Sequence, residues 1–448
     1  MSEQLELPFE GRGEAPSVER SVETSTAPQE KEGSGASGVM ERAVSRPNML
    51  AAYKRVRENK GSPGIDGMTV EALPAWLQEH WAGVREQLLA GTYRPQPVKR
   101  QLIPKAGGGE RELGIPTVVD RLIQQALLQV LQPIFDPTFS DHSYGFRPGR
   151  RAHDAVRHAQ GYVQEGRRWV VDVDLEKFFD RVNHDILMGR LAKRIEDRRV
   201  LRLVRRYLEA GVMIQGVVME RHEGTPQGGP LSPLLANVLL DEVDKELEKR
   251  GHAFVRYADD GNVYVRSKRA GERVMALLRR LYGDLKLRIN ESKSAVARVW
   301  DRKFLGFSLW VGAGKTIRVR VAEKALNAMK QRVRSMTRRL GGRSLEQVIG
   351  TLRPYLLGWK AYFRLAETPQ VFRELDEWIR HRLRAIQLKQ WKRGRTTHRE
   401  LVSRGLSPTA AAQVAANTRR WWKNSAMALH IAIPNRWFTE RGLPSLGA

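Results

Sequence analysis

Phe254-Val255-Arg256-Tyr257-Ala258-Asp259-Asp260-Gly261-Asn262-Val263-Tyr264-Val265 is rich in the β-branched and aromatic residues of a strand. It nevertheless carries two adjacent acids where a buried strand should be apolar, and such a conflict between pattern and charge is what functional sites produce. Neighbouring strand residues face opposite sides, so in a hairpin or its turn one of Asp259 and Asp260 projects into a site while the other sits at its edge. Upstream, Trp169-Val170-Val171-Asp172-Val173-Asp174-Leu175 shows the same conflict. If these segments are neighbours in one sheet, Asp174, Asp259 and Asp260 converge and can hold two hard divalent cations through oxygen. Cations separated by about 3.5–4 Å lower the pKa of an attacking hydroxyl and stabilise the leaving oxygen of an in-line displacement, which is polymerase chemistry.

The composition around these segments agrees. The 448 residues include 77 Lys and Arg against 50 Asp and Glu, a formal net charge of +27, which calls for a polyanionic partner, first of all nucleic acid. There is no cysteine, which excludes disulfides, thiolate zinc sites and cysteine nucleophiles. No apolar run approaches the ~20 residues of a spanning helix, and the acidic start lacks the regions of a signal peptide. The chain therefore reads as soluble and cytoplasmic, with no membrane partner, and its length predicts two to three domains.

Residues 1–40 are Glu-, Ser-, Gly- and Pro-rich and read as a disordered acidic leader. A helical pattern at Met49, Leu50, Tyr53 and Val56 runs into the basic Gly/Pro loop Asn59 to Gly67, where Lys60 suits a phosphate backbone. Val98 to Pro104 and Arg111 to Ile115 read as a hairpin around Gly107-Gly108-Gly109, and Asp120 opens a core helix ending near Pro133. Helices are expected at Ile186 to Ile195, Pro233 to Arg250 and Gly271 to Leu285. From Lys315 to Arg404 the chain holds 23 Lys/Arg against 7 Asp/Glu with interleaved aromatics, so a domain boundary is expected near Gly312-Ala313-Gly314.

In their order along the chain, these segments resemble a bacterial group II intron-encoded reverse transcriptase and maturase. Asp174-Leu175-Glu176-Lys177-Phe178-Phe179-Asp180 is similar to the first catalytic motif, Gly224-Thr225-Pro226-Gln227-Gly228-Gly229-Pro230-Leu231-Ser232-Pro233 to the second and Tyr257-Ala258-Asp259-Asp260 to the third. Leu285 to Lys293 resembles the segment with a phosphate-side lysine, and Phe304-Leu305-Gly306-Phe307 the primer grip. Ile103 to Pro116 resembles the fingers strands and Tyr144-Gly145-Phe146-Arg147-Pro148 the block that follows. The likeness covers Asn48 to Leu443.

The resemblance implies an α+β right-hand polymerase: fingers and palm of antiparallel sheet plus helices with an N-terminal extension (41–312), an all-α basic thumb/maturase domain (313–404) and a short DNA-binding region (405–448). It implies metal ligation by Asp174, Asp259 and Asp260 on two Mg²⁺ ions, with Mn²⁺ possible, and nucleotide contacts from Lys105, Arg111, Phe179, Gln227 and Lys293. Asp172 is the competing ligand, ranked lower because the spacing to the paired aromatics begins at Asp174. Phe179 occupies the place of an aromatic gate against a ribose 2′-OH, and Phe178 is the alternative. Lys60, Arg147, Arg334, Arg338, Arg339, Lys360, Arg364, Arg419 and Arg420 are the expected nucleic-acid contacts. The implied partners are group II intron RNA, an RNA template with a DNA primer, target DNA and dNTPs.

The absence of cysteines and of a long C-terminal extension resembles relatives without an endonuclease domain. An RNA-directed DNA polymerase that assists splicing and copies its intron during retrohoming is the leading reading. An intron-independent enzyme (domesticated, retron-like, diversity-generating or CRISPR-associated) and a non-catalytic RNA-binding maturase are the alternatives, the last disfavoured by the intact acids.

Overall fold

The computed structural model describes residues 38–447, apart from 105–109, 215–216, 220–222, 226–227, 339–341, 418–420 and 427–428. It divides into two compact units, one of residues 1–162 and 166–297, the other of residues 163–165 and 298–448. Most of the predicted acidic leader lies outside the described residues. Its end does not: Val39 and Met40 are buried and already helical, because both are apolar and pack into the core of the first unit.

The first unit runs α1 (Val39–Ala43), α2 (Arg46–Asn59), α3 (Leu73–Ala90), β1 (Val98–Pro104), β2 (Glu110–Ile115), α4 (Val118–Phe135), α5 (Ala152–Gln164), β3 (Trp169–Val173), α6 (His184–Leu191), α7 (Arg198–Glu209), β4 (Val212–Ile214), β5 (Val217–Met219), α8 (Ser232–Lys249), β6 (Ala253–Tyr257), β7 (Asp260–Val265), α9 (Lys268–Asp284) and β8 (Ala295–Arg298). One four-stranded sheet has the order β2-β1-β4-β5 and the other β6-β7-β3-β8. The first sheet is mixed, since β1 pairs β2 antiparallel but β4 parallel. The short parallel β1–β4 pairing adds to the expected antiparallel sheet, because β4 is too far along the chain to reveal its partner by pattern.

Local signals explain most boundaries. Thr117 caps α4 by accepting from Asp120 N at 3.1 Å, so the helix starts before Asp120. Asp120 is itself buried and receives Thr117 Oγ1 at 2.8 Å, Tyr93 OH at 3.0 Å and Gln96 N at 3.1 Å. Along α4, Leu122, Ile123, Ala126, Leu127 and Leu131 face the core at helical spacing.

In α8 the polar residues Asn237 and Asp244 are seven positions apart, hence on one face, and both are buried. Arg256 of β6, also buried, meets them there. Its Nε donates to both Asp244 carboxylate oxygens at 2.9 Å, Nη2 to Oδ2 at 2.5 Å and Nη1 to Asn237 Oδ1 at 2.9 Å.

The second unit begins not with helices, as expected, but with a hairpin of β9 (Phe307–Val311) and β10 (Ile317–Val321). Helices α10 (Glu323–Met336), α11 (Leu345–Phe363) and α12 (Pro369–Gln390) follow, then shorter ones from Gly394 to Glu440. The anticipated boundary at 312/313 falls in the β9–β10 turn, and the compact units part at 297/298 instead. The Gly-rich stretch that suggested a linker is the turn of a hairpin, a use of glycine that composition alone does not separate from a linker.

The buried Arg256–Asp244 pair makes a stability prediction. Asp244→Ala leaves a guanidinium uncompensated in the core and should lower unfolding free energy by about 3–5 kcal/mol, read from the urea midpoint. A loss within the ~1 kcal/mol of a surface pair would mean that the guanidinium is hydrated.

Candidate active site

The β3–β7 register pairs Val173 with Gly261, so the next residue, Asp174, reaches the level of Asp260. Tyr257 pairs with Asp260, leaving Ala258 and Asp259 as the turn of a two-residue hairpin. Such turns require a positive φ at their first position, and Ala258 has φ +59° although it is not glycine. Asp259 is half-buried and Asp260 exposed. Arg256 Nη1 donates to Ala258 O at 2.9 Å, tying the turn to the buried ion pair. Gly145 lies against it so closely that a Cβ there would stand 2.2 Å from Ala258 N. Asn237 Nδ2 donates to Gly145 O at 2.9 Å, so one network holds both strands of chain.

Asp174 is held through its backbone. Its N–H donates to Ser294 Oγ at 3.0 Å and its carbonyl accepts from Asn290 N at 2.8 Å. Leu175 bridges Ile289, and Glu176 N donates to Arg288 O at 2.8 Å. Lys293 Nζ lies 3.5 Å from Asp174 Oδ1, an ion pair whose lysine side chain is exposed. Asp172, the competing acid, pairs with Asn262 across the β3–β7 ladder, and with the Asn262 amide turned so that its nitrogen faces the acceptors, that nitrogen donates to Asp172 Oδ1 at 3.0 Å. Burial pushes the nearby Tyr282 hydroxyl well above the usual phenol range, with Asp244 and Asp259 adding to the effect and Arg256 opposing it.

Among the described residues, no three acidic or histidine side chains stand together as a ready metal cage. The register brings two acid-bearing segments side by side, their donors are all oxygen, and a lysine ammonium already sits at Asp174. That donor chemistry fits a hard divalent cation.

Phe178 and Phe179 form a short helical turn with rings 5.1 Å apart. Phe178 is core and Phe179 only partly buried, because the turn puts successive side chains on different sides. The loop from Gly224 wraps against this turn: Thr225 N donates to Phe179 O at 2.7 Å and Gly224 N to Val182 O at 2.8 Å. Gly224 (φ +90°) has no room for a Cβ, which would meet Phe179 O at 2.9 Å. Gln227 and Lys105 lie outside the described residues, as does the Arg111 side chain; the Arg111 backbone is in β2, opposite Ile103.

The expected nucleic-acid contacts divide. Lys60, Arg334, Arg338 and Arg364 are exposed. Arg334 lies 5.5 Å from the Trp378 ring. The basic stretch is not one helix: α10 ends at Met336, whose carbonyl accepts from Arg343 Nη2 at 2.9 Å. Lys360 donates to Ser445 O at 2.9 Å and so ties down the chain's C-terminal segment. Arg147 is corrected: its guanidinium is buried, with Nε 2.9 Å from Asp136 Oδ1 and Nη1 bonded to Ser140 O and Ser143 O. The resemblance made it a nucleic-acid contact, but the Asp136–Ser143 segment folds over it and takes its donors. Arg339, Arg419 and Arg420 lie outside the described residues.

Residues not anticipated as site-forming are Ser294, Asn290, Asp244 and Asn237. Their signal was faint; the one that could have led to them was Arg256, a charge amid Phe254-Val255 and Tyr257.

Comparison with known proteins adds the following. Residues 103–309 match the model of the reverse transcriptase (RNA-dependent DNA polymerase) family, and residues 326–405 that of the group II intron maturase-specific domain. Protein YkfC of Escherichia coli is 34% identical over 311 residues, covering 60% of this chain and 82% of that protein. The group II intron-encoded protein LtrA of Lactococcus lactis is 38% identical over 206 residues, 46% of this chain but only 34% of LtrA. A chain of a Cas6-RT-Cas1–Cas2 complex overlaps 55% of this chain and 42% of its own length, with 23% identity and a TM-score of 0.36, too low to bear on function. With both domains matched in order and a relative covered over most of its length, the chain belongs to the family of group II intron reverse transcriptases and maturases.

Proposed function

We propose that this chain is an RNA-directed DNA polymerase that binds group II intron RNA, assists its splicing and copies it into DNA during retrohoming, in the bacterial cytoplasm. The carrying observation is the β3–β7 register, which brings Asp174 level with Asp260 beside the hairpin turn. In this reading Asp174 and Asp259, with Asp260 beside them, hold Mg²⁺ (two ions, or Mn²⁺), which neutralises the triphosphate and favours in-line attack. The chain's own groups do the rest. Ser294 and Asn290 hold the Asp174 backbone, and Lys293, beside the Asp174 carboxylate, would offer its ammonium to a phosphate held there. Lys105, Arg111 and Gln227 complete the nucleotide contacts, and Phe179 stands where a 2′-OH would project.

Template RNA, DNA primer, target DNA and intron RNA share exposed cations such as Lys60, Arg334, Arg338 and Arg364. Among the described residues no helix is long and apolar enough to cross a membrane.

Primer extension on an RNA template should stop when a chelator removes divalent cations. Asp259→Ala should reduce extension by roughly two orders of magnitude or more, several kcal/mol of barrier, while filter binding of a group II intron RNA and protein-assisted splicing persist. Near-normal extension by this variant would remove the carboxylate from the site. Extension without any effect on splicing would favour the intron-independent reading.

Phe179→Ala should admit ribonucleotides while deoxynucleotide incorporation stays measurable, because a steric gate acts by exclusion. Unchanged ribonucleotide discrimination in a nucleotide-competition assay would show that Phe179 is packing.

A further inference from the structure

Phe146 combines two properties that a structural residue avoids. Its backbone is left-handed at φ +61°, a conformation that is uncommon for a bulky side chain, and the residue is left 46% exposed. Neither is an accident of a loose loop, since both neighbours are anchored. On one side Gly145 is wedged against Ala258 of the Asp259 turn and its carbonyl is held by Asn237. On the other, the buried Arg147 is bonded to Asp136, Ser140 and Ser143 and lies 5.5 Å from the Phe139 ring. Tyr144 N donates to Arg256 O at 2.9 Å, so the segment is stitched to β6 as well. Rigid surroundings thus hold an apolar ring in a strained backbone at the surface, next to the acid-bearing turn. Strain that the surroundings maintain is characteristic of functional positions.

We propose that Phe146 is a stacking platform for an unpaired template nucleobase beside the RNA–DNA duplex at the catalytic turn. The inference rests on the polymerase reading above. An aromatic face binds any base, as copying an arbitrary template demands, whereas an arginine at this place would grip only phosphate. The basic contact expected at Arg147 is therefore replaced by an aromatic one at Phe146, with Arg147 as its internal support.

The test uses the full chain and a labelled RNA-template/DNA-primer duplex, with binding followed by anisotropy in the absence of nucleotide. Phe146→Ala and Phe146→Gly should weaken binding about 5-fold or more, the loss expected for one stacked base. Phe146→Tyr should bind within about 2-fold of wild type, because it keeps the aromatic face. Phe146→Gly should also unfold at a higher temperature than Phe146→Ala, since glycine accepts the left-handed backbone without strain. Weakened binding in the more stable glycine variant separates a binding role from a packing one. Wild-type affinity in both truncated variants, or a loss in Phe146→Tyr as large as in Phe146→Ala, overturns the proposal. A wild-type protein that binds the duplex but extends no primer would sink the polymerase reading and leave the binding comparison to decide on Phe146 by itself.

Discussion

A guanidinium sealed inside a protein must have its donors satisfied and its charge balanced, and Arg256 meets both demands in a way that shapes the first unit. Asp244 takes the charge, Asn237 takes one donor, and the remaining bond goes to the carbonyl of Ala258. Replacing such a pair with apolar residues can leave a fold intact, but a main-chain carbonyl in a strained turn has no apolar substitute. The ion pair thus acts less as a source of net stability than as a fixed point from which the turn bearing Asp259 is hung. Gly145 closes on the same turn from the other side, which requires the absence of a side chain.

The second acid is positioned by different means. Asp174 lies just beyond the end of β3, where the ladder with β7 stops, and a strand end without partners would fray. The segment around Asn290 and Ser294 supplies those partners, bonding the Asp174 N–H and carbonyl and leaving its carboxylate for an ion. Lys293 comes from the same segment, so the element that holds the carboxylate also supplies its positive charge. The two acids therefore depend on unrelated supports, one a buried ion pair beneath a turn and the other a backbone clamp.

Part of the positive charge is engaged by other groups of the protein. Arg199 bonds Asp197 and Glu41, Arg206 bonds the carbonyls of Gly91 and Tyr93, and Arg384 bonds the carbonyl of Ile433. Burial pushes the Arg384 guanidinium down to about 10, which still leaves it charged at neutral pH. These arginines satisfy helix ends and loop carbonyls, so net charge overstates the number of cations available to nucleic acid, and exposure in the structure is the better guide.

The sequence determined by itself what short-range pattern can carry. The acids in β-rich runs, the aromatic pair after Asp174, the glycine-rich loop before α8 and several of the amphipathic helices were legible, because strand and helix periods and motif spacing are local properties, while α3, α5 and α7 were not picked out. Only the tertiary structure decided the rest. That Phe178 is core and Phe179 half exposed depends on what packs against a single turn. That Arg147 turns inward depends on Asp136, and that the glycines at 312–314 belong to a hairpin depends on strand pairing rather than composition. The partners of Arg256 lie 12 and 19 residues away on a different element, and those of Asp174 up to 120 residues away. Contacts of that range are set by how layers pack, a constraint that the one-dimensional pattern does not contain.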